Sequence, residues 1–308
     1  MFDFVGKRYW YFLFSALILI PGIFSLSLFG LRRGIEFDSG SMMTIRFERD
    51  VGQAELRQEL SAQGYSDAII QRTDDGDFII RIEQLDTSQK EELQDALKEE
   101  FGTVEERAFH SVSPIVAREI ERNAFYAVLA AAVAVLIYIT WAFRRLPSPF
   151  RYGTCAIIAL VHDVLIVLGI FSILGRAFNL EINAMFIMGI LTVIGYSVND
   201  TIVVFDRIRE NMGKGISNDF KTTVNTSLVE TLGRSLNTSL TTLFVLVALF
   251  LFGGATIQSL ILVLIIGIIS GTYSSLFIAS QLLVVWENKD IARLAKGWRN
   301  VIRSSPTR

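Results

Sequence analysis

The sequence predicts a multi-pass α-helical membrane protein, with six membrane-spanning helices and one small α+β domain between the first and the second. Three observations carry this expectation. Hydrophobic residues make up 51% of the 308, the mean hydropathy is +0.44, and the apolar residues collect in runs of about 20, as membrane helices require. Charge is segregated: residues 34–120 hold 9 Lys and Arg against 20 Asp and Glu, a balance of −11, whereas the rest holds 20 against 11, a balance of +9. An acidic block within a basic membrane framework implies two aqueous compartments rather than a nucleic-acid partner. Within the acidic block, strand-like and helix-like periodicities alternate between turn signals.

Residues 1–33 hold the N-terminus and a first span, Trp10 to Phe29. At about 20 residues it is long enough for a hydrocarbon core of ~30 Å. The run is too long for a cleaved signal and no A-x-A site follows, so a retained helix is expected, with Pro21-Gly22 as a candidate kink.

Residues 34–120 form the extracytoplasmic domain and its connecting helix. Met42 to Phe47 reads as a strand, and Gly52 to Gln63 as a helix with Ala54, Leu56 and Leu60 near one face. Ala68 to Arg72 and Phe78 to Ile82 flank the hairpin signal Asp74-Asp75-Gly76. Asp86-Thr87-Ser88 is a cap for a helix from Gln89 to Glu100, stopped by Gly102, and Val104 to Val112 closes as a strand. The order βαββαβ matches a small ferredoxin-like α+β domain. Its acidic surface reads as a solvated face, because no His, Cys or carboxylate cluster has metal-ligand spacing.

From Pro114 the chain becomes amphipathic and helical, through Ile115, Val116, Glu119 and Arg122, and enters the remaining spans within residues 121–287. These are 125–143, 152–174, 182–205, 234–252 and 257–286; Arg207 to Gly233, between the fourth and fifth spans of the chain, is polar and amphipathic, and residues 288–308 are a basic tail. The links after the second and fourth spans and the tail are rich in Lys and Arg, whereas those after the third and fifth hold only Arg176. The positive-inside bias then places both termini in the cytoplasm and residues 34–120 outside it, outvoting Arg32-Arg33.

The fourth span ends in IGYSVNDTIVVFDRIREN, which sets Asn199, Asp200 and Thr201 inside an apolar run. A carboxylate at membrane depth costs about 3 kcal/mol on insertion scales and marks a functional site by default. Asp200 lies about 27 Å from the outer end of its span and Arg234 about 28 Å from the outer end of the next, at ~1.5 Å per residue. At that matched depth they form a candidate ion pair or proton site. A carboxylate poised between a guanidinium, which favours the charge, and burial, which opposes it, can load and release a proton as water access changes. A structural ion pair is the competing reading, and Arg234 near a span end also suits snorkelling. Asn199 and Thr201 are candidate supports for Asp200, or polar packing residues. His162-Asp163, nearer mid-membrane, is a candidate relay or a helix-packing pair. Gly267 and Gly271 form a GxxxG suited to close packing. No GxxxxGK[ST], HExxH, GxSxG or GxGxxG is present. With two histidines and the single Cys155, no enzyme, cofactor, metal centre or disulfide is expected.

One span, a βαββαβ domain, five further spans and GYSVNDTIVVFDRIREN together resemble the SecF family, accessory subunits of the bacterial Sec export machinery within the RND superfamily. INAMF before that motif, VHDVL from Val161 to Leu165, and LGRSLNTSLTT from Leu232 also fit. After the first span the family usually carries G-x-D-F-x-G-G. Gly34, Phe37 and Gly40 match it, while Glu36 replaces Asp and Ser39 replaces Gly. The resemblance implies an RND-type half in the bacterial inner membrane that uses the proton-motive force, with a SecD-like partner, to complete movement of preproteins translocated by SecA and SecYEG. It implies proton-path roles for Asp200 and Arg234, and contact with membrane lipids but not nucleic acid. A self-sufficient RND-type transporter of small molecules or lipids, and a structural subunit without ion flow, are the alternatives. The residues alone allow H⁺ or Na⁺ as the coupling ion.

Overall fold

The computed structural model describes residues 2–73, 76–254 and 257–287. The hairpin pair Asp74-Asp75 and the basic tail lie outside the described residues. In chain order the elements are α1 (Arg8–Phe29), α2 (Ile35–Asp38), β1 (Gly40–Phe47), α3 (Gln53–Ala62), β2 (Ile69–Arg72), β3 (Phe78–Ile82), α4 (Thr87–Phe101), β4 (Val104–Val112), α5 (Pro114–Ala142), α6 (Pro149–Phe178), α7 (Ala184–Gly213), α8 (Phe220–Phe252), α9 (Gln258–Ser274), a π turn (Ser275–Ala279) and α10 (Ser280–Glu287). Among the described residues, six helices are long and apolar enough to cross a membrane, the last running from Gln258 to Glu287. The chain divides into two compact units, Arg33–Tyr126 with Glu181–Ala184, and the described residues of Met1–Arg32, Ala127–Leu180 and Met185–Arg308.

The smaller unit is an antiparallel sheet of order β2-β3-β1-β4 with the βαββαβ succession read from the sequence. Alternation along β1 sends Met43, Ile45 and Phe47 inward, where Leu56 and Leu60 of α3 and Leu93, Leu97 and Phe101 of α4 cover them. Asp86 caps α4: its carboxylate accepts from the Gln89 N–H at 2.8 Å, and the Gln89 side chain accepts from the Asp86 N–H at 2.9 Å. The Gln89 N–H and then the Ser88 hydroxyl hold the Asp86 carboxyl below its ordinary value. A depressed folded value stabilises above the unfolded value and is lost as pH falls through the folded one. Asp86→Asn is therefore expected to keep the cap at neutral pH and to flatten the loss of α4 hydrogen-exchange protection below about pH 4.

Between α2 and β1, Ser39 has φ 62° and ψ 172°, a region almost reserved for glycine. The backbone thus keeps glycine-like torsions at the position where the sequence departs from glycine. Ser39→Gly is expected to stabilise the fold by about 1 kcal/mol, and Ser39→Val to destabilise it by more. Thermal unfolding in detergent reads both, and an unchanged midpoint for Ser39→Gly would exclude strain there. Gly40 follows with φ 123°, and a Cβ on it would meet the Ile82 carbonyl oxygen at 2.7 Å. Gly34 N–H donates to the Ile182 carbonyl at 2.9 Å, Phe37 is buried, and Glu36 accepts from the backbone N–H of Ala184, the first residue of α7. A carboxylate there complements the exposed amides of a helix start.

The larger unit is a helix bundle joined through small residues. On α1 and α6, Gly22 and Gly169 leave no room for a side chain, and Ser25 and Ser172 hydroxyls meet at 2.9 Å. The GxxxG of α9 lies against α7: a Cβ on Gly267 would stand 2.1 Å from Val193 Cγ2, and one on Gly271 3.0 Å from Ser197 Cβ. Ser275 then meets Thr201 at 2.8 Å, so the contacts advance by four residues on both helices, which run parallel. Pro21 sits inside an unbroken α1, and the amphipathic stretch from Pro114 is continuous with the second span as α5. The polar stretch from Arg207 to Gly233 is largely the ends of α7 and α8. Arg207 binds Glu210 at 2.5 Å and Glu230 at 2.7 Å, and Lys214 binds Glu210 at 2.5 Å. Such pairs let a helix outlast its apolar run.

Candidate functional site

Successive residues on a helix turn by about 100°, so Asn199, Asp200 and Thr201 cannot share a target. Asp200 faces inward, 9% exposed. Its Oδ1 accepts from Ser235 Oγ of α8 at 2.7 Å, and its Oδ2 has no hydrogen-bond partner among the described residues. Asn199 is exposed and does not orient it. Thr201 is buried, but its hydroxyl bonds Ser275 at 2.8 Å and the Ser197 carbonyl at 3.1 Å; it ties α7 to the π turn instead.

The ion pair between Asp200 and Arg234 is not made. α8 does bring residue 235 level with Asp200, so the depth argument holds. The helix phase differs by one position: Ser235 is buried and Arg234 is exposed. Arg234 acts on the carboxylate only through space.

His162 and Asp163 of α6 carry far more contacts than their sequence positions suggest. Asp163 is 1% exposed. Its Oδ1 accepts from Ser270 at 2.7 Å, and its Oδ2 from Ser197 at 2.7 Å and Ser274 at 2.6 Å. His162 Nδ1 lies 3.1 Å from Asp163 Oδ1 and Nε2 2.9 Å from Ser15 Oγ. The carboxylate accepts, so Nδ1 carries the proton of that contact. One buried centre therefore joins α1, α6, α7 and α9.

The two carboxylates differ in kind. Asp163 has every oxygen satisfied, the arrangement of a structural hub. Asp200 has one oxygen held and one unmet, the arrangement of a group that can accept a proton without breaking its own support. Sequence reading missed Ser15, Ser197, Ser235, Ser270 and Ser274, because single serines in apolar helices carry little signal. The i, i+4 hydroxyl spacing on α8 and the run SGTYSS at residues 270–275 were the available clues. No group of three His, Cys, Asp or Glu side chains placed to hold a metal ion occurs among the described residues.

The family model described as "Protein export membrane protein SecD/SecF, C-terminal" matches residues 92–289. The chain is 49% identical over 306 residues to the protein translocase subunit SecF of Thermobaculum terrenum, covering 96% of each. It is 40% identical over 304 residues to the SecF subunit of Anaerolinea thermophila, covering 97% of this chain and 96% of that one. Among solved structures it is similar to the crystal structure of SecDF, a translocon-associated membrane protein, from Thermus thermophilus, with a TM-score of 0.81 and 34% identity over 93% of this chain. It spans 39% of that longer protein.

Proposed function

Because this chain belongs to the SecD/SecF family of protein translocase subunits, on its SecF side, we propose that it is the SecF half of an ion-driven export device in the bacterial inner membrane. In this reading it works with a SecD-like half to complete preprotein movement begun by SecA and SecYEG. The proton-motive force drives the work, and Asp200 takes the proton.

The half-satisfied carboxylate of Asp200 carries the reading. Protonation at Oδ2 forms the O–H of a neutral acid and leaves the 2.7 Å bond from Ser235 to Oδ1 in place. Loss of the proton restores the charge, which a nearby guanidinium favours and burial opposes. Arg234 belongs to the partner side of this scheme. It shares one face of α8 with the exposed residues Asn237, Thr238, Thr241 and Val245, a face open to lipid or to a second half. The basic links put both termini in the cytoplasm and residues 34–120 outside, where an acidic, solvated domain can meet emerging polypeptide. His162, Asp163 and Thr201 serve by holding the helices in register, and no catalytic chemistry is assigned to the chain.

The test is late-stage preprotein translocation in proteoliposomes holding SecYEG, SecA, a SecD-like half and this chain. An imposed proton gradient is expected to accelerate completion, and a protonophore or omission of the SecD-like half to remove the acceleration. A gradient without effect on the complete assembly would sink the reading.

A further inference from the structure

α1 and α6 run parallel in one continuous register. Ser15 meets His162, Gly22 meets Gly169, Ser25 meets Ser172 and Arg32 meets Asn179, each pair at the same offset of 147 residues. Contacts that recur at intervals of seven, three and seven residues along each helix are those of a coiled-coil seam. Beyond Ser172 the seam opens. A Cβ on Gly30 would meet nothing within 4 Å. A cavity of about 260 Å³ begins there, lined by Phe29, Gly30, Arg32, Ser172, Gly175 and Arg176.

The cavity stands at one membrane face. α6 starts at Pro149 beside the basic link and ends at Phe178, so the lining residues near its end lie at the face opposite that link. Arg32, Arg33 and Arg176 are the residues that stand against the positive-inside bias in the sequence. Arg33 is answered by Glu121 at 3.2 Å. The other two converge on the cavity. Arg32 is half-buried and donates to the side-chain oxygen of Asn179, which holds its head over the end of α6. Gly175 leaves room for it: a Cβ there would stand 3.4 Å from Arg32 Cβ and 3.1 Å from the Leu180 carbonyl oxygen. Among the described residues the Arg176 guanidinium makes no hydrogen bond or ion pair.

The negative ends of two helix dipoles account for a cation at the end of each helix. They do not account for two guanidiniums, from two helices, bordering one open cavity with no Asp or Glu in its lining. The guanidinium fork matches a phosphate in a bidentate manner. Where an apolar run ends at a membrane face, the phosphate at hand is that of a phospholipid. A zwitterionic headgroup would set its own cation against both arginines, whereas an anionic glycerol headgroup adds no such repulsion. Phe29, and Ile173 three residues before Arg176 on the same side of α6, are exposed apolar surface on which acyl chains can lie.

We propose that this cavity binds the phosphate of an anionic phospholipid, with Arg32 and Arg176 on its oxygens and the acyl chains along Phe29 and Ile173. The lipid closes the open end of the seam between α1 and α6. In the proposed orientation it belongs to the outer leaflet. The binding itself depends neither on that orientation nor on the role of Asp200.

The test places the full chain with its SecD-like half in phosphatidylcholine vesicles holding a small share of phosphatidylglycerol with a photoactivatable diazirine on one acyl chain. After irradiation, mass spectrometry counts crosslinks on residues 24–32 and 172–180. Unlabelled phosphatidylglycerol is expected to displace the crosslink at about tenfold lower concentration than phosphatidylethanolamine, and Arg176→Gln to reduce it about tenfold. Arg176→Gln removes no bond among the described residues, so its unfolding midpoint is expected to match that of the native chain, which separates lost binding from lost folding. Arg176→Lys, with the charge but not the fork, is expected to keep the preference for phosphatidylglycerol at a lower yield. Arg144→Gln combined with Arg145→Gln, at the opposite membrane face, is expected to leave the crosslink unchanged. Equal displacement by the two lipids, indifference to Arg176→Gln, or an equal loss on changing Arg144 and Arg145 overturns the proposal. Displacement by inorganic phosphate alone overturns the assignment to lipid.

Discussion

Asp200→Asn is expected to insert and fold normally and to lose gradient-driven export by about 10²-fold, the lower range for removing a proton-transferring side chain. The substitution conserves shape. The asparagine oxygen still accepts from Ser235, and its amide nitrogen occupies the place of the unpartnered Oδ2. Only the capacity to gain and lose a proton disappears. Ser235→Ala is expected to act more weakly, because it leaves that capacity and removes one orienting bond. Export per folded molecule, normalised to abundance in the membrane, is the measurement. Asp200→Asn with undiminished gradient-driven export would remove Asp200 from the ion path.

The second large effect concerns Asp163 and has the opposite character. Asp163→Leu strands the hydroxyls of Ser197, Ser270 and Ser274 and the imidazole of His162 in a water-poor core. Hydrogen bonds between membrane helices average about 0.6 kcal/mol, and three of them, together with the His162 contact within α6 and the unmet donors left behind, give a loss of about 2–4 kcal/mol. The expected readout is a lowered unfolding midpoint and reduced abundance. Asp163→Asn is expected to recover part of both, with flux per folded molecule retained. If Asp163→Asn folded as well as the native chain and carried no flux, the residue would belong to the ion path and not to the scaffold.

Much of the architecture is legible in the residues, because burial in lipid and pairing in a sheet leave strong periodic marks. The apolar runs give the spans, and the inward alternation of Met43, Ile45 and Phe47 with the Asp86 cap gives the small domain. Helix ends are less legible. Paired charges such as Arg207 with Glu230 let α7 and α8 extend beyond the apolar residues, so most of the polar, amphipathic stretch between the two spans is continuous with the membrane helices themselves. The site divides along the same line. Asp200 announces itself as a carboxylate among apolar neighbours, and depth counting brings α8 level with it. Depth does not fix rotation, and rotation decides that Ser235 and not Arg234 makes the contact. The Asp163 centre is hidden for another reason. Its partners are single serines on three other helices once Ser15 is reached through His162, and only the packed bundle brings them to one point.

The glycine contacts between α7 and α9 bear on how a charge change becomes movement. Where Val193 fills the space that a Gly267 side chain would take, and Ser197 presses on Gly271, the two backbones are keyed against sliding. Together with the Thr201 and Ser275 hydroxyls they form a single stiff beam. The α7 to α8 seam is a compliant joint by comparison, spanned at the level of Asp200 by one hydroxyl bond. In the proposed reading, a change of charge at Asp200 would act first on α8, the helix that presents Arg234 outward, while the keyed α7 and α9 would hold their register.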